Sequence, residues 1–347
     1  MNAVVCVSPG DLKLVDRASP LPQEGHSILR IRRIGICGTD IHAFEGTQPY
    51  FTYPRILGHE LAGELIDTNG AHGFKPGDLL TVIPYWNCGT CIACRRGKPN
   101  CCVRMQVCGV HVDGGMTEYL SVPTAALIGG KGLSLDELAL IEPLAIGAHS
   151  VRRAGIEPGE FVLVIGAGPI GLGILQLSRL AGAEVIVMDV NEKRLAFCRE
   201  KLGIVHAINP ATLDPVETLK SITGNDMPTS VFDATGNLHA INGALRYLAH
   251  GGRYVLVGLQ SADFSFNHPE FHKRETTLMS SRNALREDFE YVISCIQSKR
   301  LDPRVLITHR LQFTDLENEF KTIMTSDNLV VKGMIEVGDP MTDTIVQ

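Results

Sequence analysis

Phe161-Val-Leu-Val-Ile-Gly-Ala-Gly-Pro-Ile-Gly171, continuing as Leu-Gly-Ile-Leu-Gln-Leu-Ser-Arg-Leu180, is the stretch whose reading decides the fold. Residues 161–165 form an apolar run that reads as a buried strand. Residues 169–180 repeat apolar side chains at helical spacing until Gly182 ends the helix. Between them Gly166, Gly168 and Gly171, with Pro169 and Ile170, fit Gly-x-Gly-x-x-Gly. These glycines allow a tight turn and let a pyrophosphate approach the helix N-terminus, where amides and the helix dipole favour an anion. The motif alone is weak in a chain with 35 glycines. The preceding strand, the following helix and Asp189 at the end of the next strand (184–189) give it its meaning. A carboxylate there accepts hydrogen bonds from ribose hydroxyls and repels a 2′-phosphate, so NAD is favoured over NADP. No arginine adjoins Asp189 in the sequence, and Arg194 either covers the adenine or faces solvent.

Outward from this unit the alternation continues. Strands are expected at 205–208, 229–233 and 253–258, with helices before Gly224 and at about 237–248. Strands alternating with helices define a parallel, doubly wound α/β sheet. The region up to about Gly147 differs, with short β-like runs at 27–33, 61–66 and 79–83 and Pro or Gly every few residues. It reads as a mostly β domain without long helices, its loops carrying the polar residues. After Arg282 the pattern weakens to one helix (287–298) and one final strand (332–337).

A chain of 347 residues is long for one core, so two domains are expected. Its net charge of −6 offers no blanket attraction to nucleic acid or anionic lipid, which makes a small molecule the expected partner. The N-terminus lacks a secretion signal's basic and apolar regions, and no apolar run reaches the roughly 20 residues of a spanning helix. A cytoplasmic location follows as the expectation. Ten cysteines there point to metal sites and buried thiols rather than disulfides.

Four of them, Cys88, Cys91, Cys94 and Cys102, are spaced Cys-x-x-Cys-x-x-Cys-x7-Cys. Four thiolates at about 2.3 Å close a tetrahedral shell around a structural zinc. An iron–sulfur cluster also takes four cysteines. A nucleic-acid zinc ribbon is suggested by Arg95, Arg96, Lys98 and Arg104, although aromatic stacking partners are sparse there. Cys101 is the alternative fourth ligand. Cys6, Cys108, Cys198 and Cys295 have no partner spacing and read as buried thiols.

A second cluster lies in Gly35-Ile-Cys-Gly-Thr-Asp-Ile-His42 and Leu57-Gly-His-Glu60. Cys37 taken alone is an ordinary buried thiol. Beside it stand Thr39, Asp40, His42, His59 and Glu60, each with a distinct role available. Cys37 and His59 are ligands zinc prefers, and a zinc with fewer than four fixed protein ligands accepts substrate oxygen. Asp40 can supply the carboxylate that a metal-bound His59 needs behind it.

These two stretches resemble the zinc-dependent medium-chain alcohol and polyol dehydrogenases, and the resemblance extends over nearly the whole chain. The wording is most similar to bacterial dehydrogenases of sugar acids of the L-galactonate or L-gulonate type. The resemblance implies a GroES-like catalytic domain, discontinuous over 1–147 and 283–347 with a structural zinc lobe at about 86–104, and a Rossmann domain over 148–282. It implies one catalytic and one structural zinc, NAD, and a homodimer or homotetramer. Hydride leaves a secondary alcohol carbon for the nicotinamide while Thr39 receives the hydroxyl proton and His42 passes it outward. Ile-Glu-Pro-Leu around Glu142 is similar to the polyol and threonine enzymes, which makes Cys37, His59, Glu60 and Glu142 the metal set, one glutamate acting through water or at some stages only. Thr235, Val257 and Gly258 are implied at the cofactor. Arg282 matches a position that touches polyol hydroxyls, and His111, His272, Lys273 and Arg274 offer charge to a carboxylate. The competing substrates are neutral polyols, vicinal diols and threonine. The competing classes are a cofactor-binding sensor and a zinc-ribbon nucleic-acid binder.

Overall fold

The strand order of the second half follows from which runs can be buried on both faces. In the computed structural model, which describes residues 1–69, 73–324 and 329–338, Val162, Leu163, Val164 and Ile165 are buried in the strand Phe161–Ile165. That strand pairs in parallel with Glu184–Met188 on one side and Ser230–Asp233 on the other. Outside these lie His206–Ile208, Arg253–Leu256 and Thr277–Ser280, giving a six-stranded parallel sheet, among the described residues, in the order 3-2-1-4-5-6. A doubly wound sheet of this order reverses direction beside its first strand, and its crevice opens at the carboxyl ends of the strands.

The helices between strands carry the expected punctuation. Pro169–Leu180 starts with proline in its first turn. Pro215–Thr223 is capped by Asp214, which accepts hydrogen bonds from the Val216 and Glu217 amides, and closes on Gly224 in the left-handed region (φ 63°). The helix expected over 237–248 is shorter, because Leu238–Gly243 gives way to a 3-10 turn at Ala244–Tyr247. Gly243, a poor helix former, stands at that change.

The first unit is built on His26–Gly35, which pairs antiparallel with Glu60–Asp67, Tyr119–Pro123 and Lys332–Glu336. The returning strand Lys332–Glu336 pairs in parallel with Ile307–Gln312. Leu29, Ile31 and Ile34 from the central strand and Leu61 and Leu65 from its neighbour sit in one core without exposure. Each such side chain contributes on the order of 1.5–3 kcal/mol on burial. The chain divides into two units, Met1–Glu142 with the segment from Ile293 onward, and Pro143–Val292. Both crossings fall inside helices, Ile141–Ala154 and Arg286–Gln297. The first is a long helix where the sequence suggested none. Residues 325–328 and 339–347 of the expected returning segment lie outside the described ones. Among the described residues no helix is long and apolar enough to cross a membrane.

Candidate active site

The central strand ends at Gly35, and the helix Gly38–Glu45 starts three residues on with Cys37 as its N-cap residue. Asp40, in the first turn, is almost fully buried. Its Oδ2 accepts the Cys37 amide at 2.9 Å and its Oδ1 the Gly58 amide at 3.1 Å. One carboxylate therefore ties together the two turns that carry Cys37 and His59. The same Oδ1 stands 3.7 Å from His59 Nδ1. Burial raises the pKa of Asp40.

Cys37, His59 and Glu60 each bring one ligand atom within 4.8 Å of the others. Burial disfavours a charged His59, but Asp40, Cys37 and Glu142 around it prevail and hold its pKa well above the ordinary value. A pocket whose anions draw a proton onto a buried imidazole suits a cation, and a thiolate, an imidazole and carboxylates are donors that suit zinc. Glu142 enters from the first turn of Ile141–Ala154. Tyr85 donates its hydroxyl to Glu142 Oε1, while Oε2 is buried with no hydrogen-bond partner. Burial, with the charge of Glu60, pushes Glu142 up to about 7.

Glu60 is not exposed at all, and both its oxygens accept from Lys332 Nζ, at 2.6 and 2.7 Å. Neither Lys332 nor Tyr85 is singled out by the sequence reading. Thr39 is half-buried, and His42 is exposed on the same helix, its Nδ1 3.2 Å from Thr47 Oγ1.

Cys88, Cys91, Cys94 and Cys102 also bring their sulfurs within 4.8 Å of one another, with separations of 3.5 Å (91–94), 3.8 Å (91–102) and 3.4 Å (88–102). A tetrahedral ion with bonds of about 2.3 Å needs sulfurs about 3.8 Å apart, so this set fits a closed zinc site. The Arg104 guanidinium, with nearby backbone amides, holds the Cys88 thiol down at about 5. Cys101 is exposed and outside the set.

In the second unit the carboxylate of Asp189 accepts the Ala167 amide at 2.7 Å and the Asn191 amide at 2.8 Å. It locks the glycine-rich turn to the end of the neighbouring strand. Arg194 Nη1 lies 3.9 Å from Asp189 Oδ2. An arginine therefore does flank this carboxylate in space, five residues along a turn and helix start. Thr235, Val257 and Gly258 gather around Asp233. Its side chain accepts the Thr235 amide and hydroxyl and the Gly236 amide, and its carbonyl accepts the Val257 and Gly258 amides. Asp233 escaped the sequence reading, although a carboxylate closing a buried strand just before Thr-Gly is the signal that marks it.

The structure corrects one expected substrate partner. Lys273 ends the helix His268–Lys273, ahead of the strand Thr277–Ser280. It is exposed beside Glu270 (3.7 Å) at the amino edge of the parallel sheet, opposite the glycine-rich turn. A ligand at the carboxyl edge is out of its reach. His272 and Arg274 share that edge, and Arg274 donates to the Leu248 carbonyl. Arg282 follows the carboxyl end of the same strand and is exposed. His111 Nδ1 accepts the Val107 amide at 3.1 Å.

A thiol–imidazole–carboxylate cluster, a four-thiol lobe and a dinucleotide-type sheet in one chain define an oxidoreductase acting on CH–OH donors. The alcohol dehydrogenase GroES-like domain model matches residues 23–130, and the zinc-binding dehydrogenase model matches residues 169–298. The chain is 42% identical to an L-galactonate-5-dehydrogenase of Escherichia coli K12, over 96% of this chain and 98% of that one. It is 29% identical to a sorbitol dehydrogenase of Bacillus subtilis, over 96% and 97%. Among solved structures, the rspB alcohol dehydrogenase of Escherichia coli CFT073, complexed with NADH, superposes with a TM-score of 0.89 at 30% identity, covering 97% and 99%. This chain belongs to the zinc-dependent medium-chain alcohol dehydrogenase family.

Proposed function

We propose that the protein is a zinc- and NAD-dependent dehydrogenase that oxidises a secondary hydroxyl of a sugar acid of the L-galactonate or L-gulonate type. The observation that carries the reading is the convergence of Cys37, His59 and Glu60 within 4.8 Å; Glu142 lies outside that group, but its charge acts on His59 and its Oε2 is buried with no hydrogen-bond partner. Cys37, His59 and the two carboxylates hold the catalytic ion, and the four-thiol lobe holds a second, structural one. Zinc, when bound, supplies a Lewis acid that makes the alcohol proton easier to remove. Asp40 orients His59. Thr39 takes the hydroxyl proton, and His42, exposed on the next turn, gives it to water. Gly166, Gly168, Pro169, Ile170 and Gly171 receive the pyrophosphate, and Asp189, held by two amides, presents its charge to the ribose. Thr235, Val257 and Gly258 receive the nicotinamide half, on a loop that Asp233 fixes.

The 42% identity with an L-galactonate enzyme supports the substrate class, and Arg282, which follows the carboxyl end of the strand Thr277–Ser280, offers a cation to a carboxylate. A neutral polyol is the second reading, favoured by the sorbitol dehydrogenase relative and by the placement of Lys273. The edge strand Thr277–Ser280, with exposed Leu259, Phe264 and Phe266 in the preceding loop, supports assembly as a homodimer or homotetramer. The test is NADH or NADPH formation across sugar acids, polyols, diols and threonine with each cofactor. Turnover of one sugar acid with NAD is expected. Turnover confined to neutral polyols discards the carboxylate pocket, and turnover with NADP alone discards the reading of Asp189.

A further inference from the structure

Arg274, which the catalytic site leaves unused, lines a cleft elsewhere in the second unit. The cleft lies between the helix Leu238–Gly243 with its following turn Ala244–Tyr247 and the helix His268–Lys273, and it measures about 400 Å³. Small-molecule sites run from about 300 to 1,000 Å³. Its walls are fixed before any ligand arrives. Asn242 Oδ1 accepts the Ser265 amide at 2.8 Å, Asn267 Oδ1 accepts the Glu270 amide at 3.0 Å, and the rings of Phe266 and Phe271 pack with centroids 4.7 Å apart. These bonds occupy the carbonyl oxygen of each asparagine side chain and leave its N–H donors. Arg246 Nη2 donates to the Tyr247 hydroxyl at 2.9 Å, and Arg274 Nη1 donates to the Leu248 carbonyl at 2.6 Å. A guanidinium has five N–H groups, so each keeps most of its capacity. Arg274 Nε is shielded from water without a hydrogen-bond partner, 3.5 Å from Glu270 Oε2. Among the described residues of the lining, Glu270 is the one carboxylate.

From this donor-rich lining we infer that the cleft is a second ligand site, separate from the catalytic one, for a small anionic polyol: a sugar acid or a sugar phosphate. The two guanidiniums take the anionic head through charge-assisted bonds. The asparagine N–H groups donate to hydroxyl oxygens, and Glu270 accepts from a hydroxyl. An anion without hydroxyls would meet Glu270 only as a repelling charge, and a neutral polyol would leave both arginines unmatched. Both arginines bond to the Tyr247–Leu248 turn that leads into the start of the strand Arg253–Leu256. They therefore gather at the amino edge of the parallel sheet, whereas the cofactor crevice opens at the carboxyl edge. The site stands whichever alcohol the catalytic pocket oxidises.

Equilibrium dialysis of the full-length, zinc-loaded protein against labelled L-galactonate, glucose 6-phosphate and neutral galactitol tests this, with NADH in place of NAD so that nothing turns over. The variants are His59→Ala, which removes the catalytic site, and Arg246→Glu and Gly243→Leu, which alter the cleft. Gly243 has an ordinary backbone (φ −83°, ψ −19°) and nothing nearer than 3.8 Å to an added Cβ, so a leucine there enters the cleft without straining the fold. At least one of the two anions is expected to occupy a site that survives His59→Ala. Arg246→Glu should weaken that site at least about tenfold, and Gly243→Leu should block it. L-Galactonate at this site identifies a sugar acid as the ligand class, and glucose 6-phosphate a sugar phosphate. The inference is overturned if neither anion binds such a site at millimolar concentration, if binding there is unchanged in both cleft variants, or if galactitol binds it equally well. Loss of the His59-dependent site alone counts against the catalytic reading and leaves the cleft standing, which separates the two failures.

Discussion

Two glycines five and two residues apart from Gly166 separate folding from binding in the cofactor turn. At Gly171 an added Cβ would lie 1.8 Å from the Gly166 carbonyl oxygen and 2.9 Å from its carbon, both backbone atoms with nowhere to go. Gly171→Ala must therefore spread the turn, at a cost on the order of 1–3 kcal/mol or more, before any cofactor arrives. At Gly168 nothing lies within 4 Å of the added atom, and the backbone (φ −80°, ψ 178°) is open to any residue. Alanine there gains about 0.4–1 kcal/mol by restricting the unfolded chain and loses a similar amount as a poorer helix cap. The melting temperature without cofactor should therefore stay within about 2 °C of wild type for Gly168→Ala. That same methyl group points where a pyrophosphate would approach, so overpacking of about 1–3 kcal/mol should weaken NADH binding roughly 5- to 150-fold. Calorimetry without cofactor and titration of NADH fluorescence measure the two quantities. Wild-type NADH affinity in Gly168→Ala, or wild-type stability and affinity in Gly171→Ala, would refute the reasoning.

Cys88→Ser opens the closed thiol shell and should lower the zinc content by one ion and the melting temperature with it, read by elemental analysis and calorimetry. Asp189→Ser removes the charge that repels a 2′-phosphate and leaves Arg194 unopposed, so the ratio of kcat/KM for NADP to that for NAD should rise at least about tenfold, a differential of 1.4 kcal/mol. In the second unit Asp288 is 2% exposed and accepts from His149 Nδ1 and Arg152 Nε, both at 2.8 Å. Burial pushes its pKa up, but the bonds from His149, Arg152 and the Leu285 amide prevail and hold it below the ordinary value. A depressed carboxylate adds stability above the unfolded value, about 3.9, that is lost as pH falls through the folded one. Asp288→Ala should cost roughly 3–5 kcal/mol at neutral pH and flatten the acid limb of stability below about pH 4, measured by urea unfolding.

What the sequence made legible were features with local spacing. The glycine turn, the strand before it and the helix after it fall where expected because each is a short-range pattern of turn, apolar run and cap. The four thiols converge because two-residue spacers leave neighbouring cysteines little choice. Lys332 was hidden for the opposite reason. It meets Glu60 from 272 positions away in the chain, and a lysine is exposed by default. Its one local mark is a charge standing inside the apolar run Val330-Val331-Lys332-Gly333-Met334-Ile335. Lys273 misled in the same way, since charge alone does not tell which edge of a parallel sheet a residue occupies. Arg194 was judged by its distance along the chain from Asp189, and a turn followed by a helix start shortens that distance in space.

The most direct test of the central claim is the initial rate of NADH formation from L-galactonate by the zinc-loaded protein, run beside its His59→Ala variant. The account predicts NAD-dependent turnover by the wild type and a loss of at least about a hundredfold in kcat/KM with one fewer bound zinc in the variant. Turnover that survives His59→Ala unchanged, or a fully zinc-loaded wild type inert on every sugar acid and polyol with either cofactor, would contradict it.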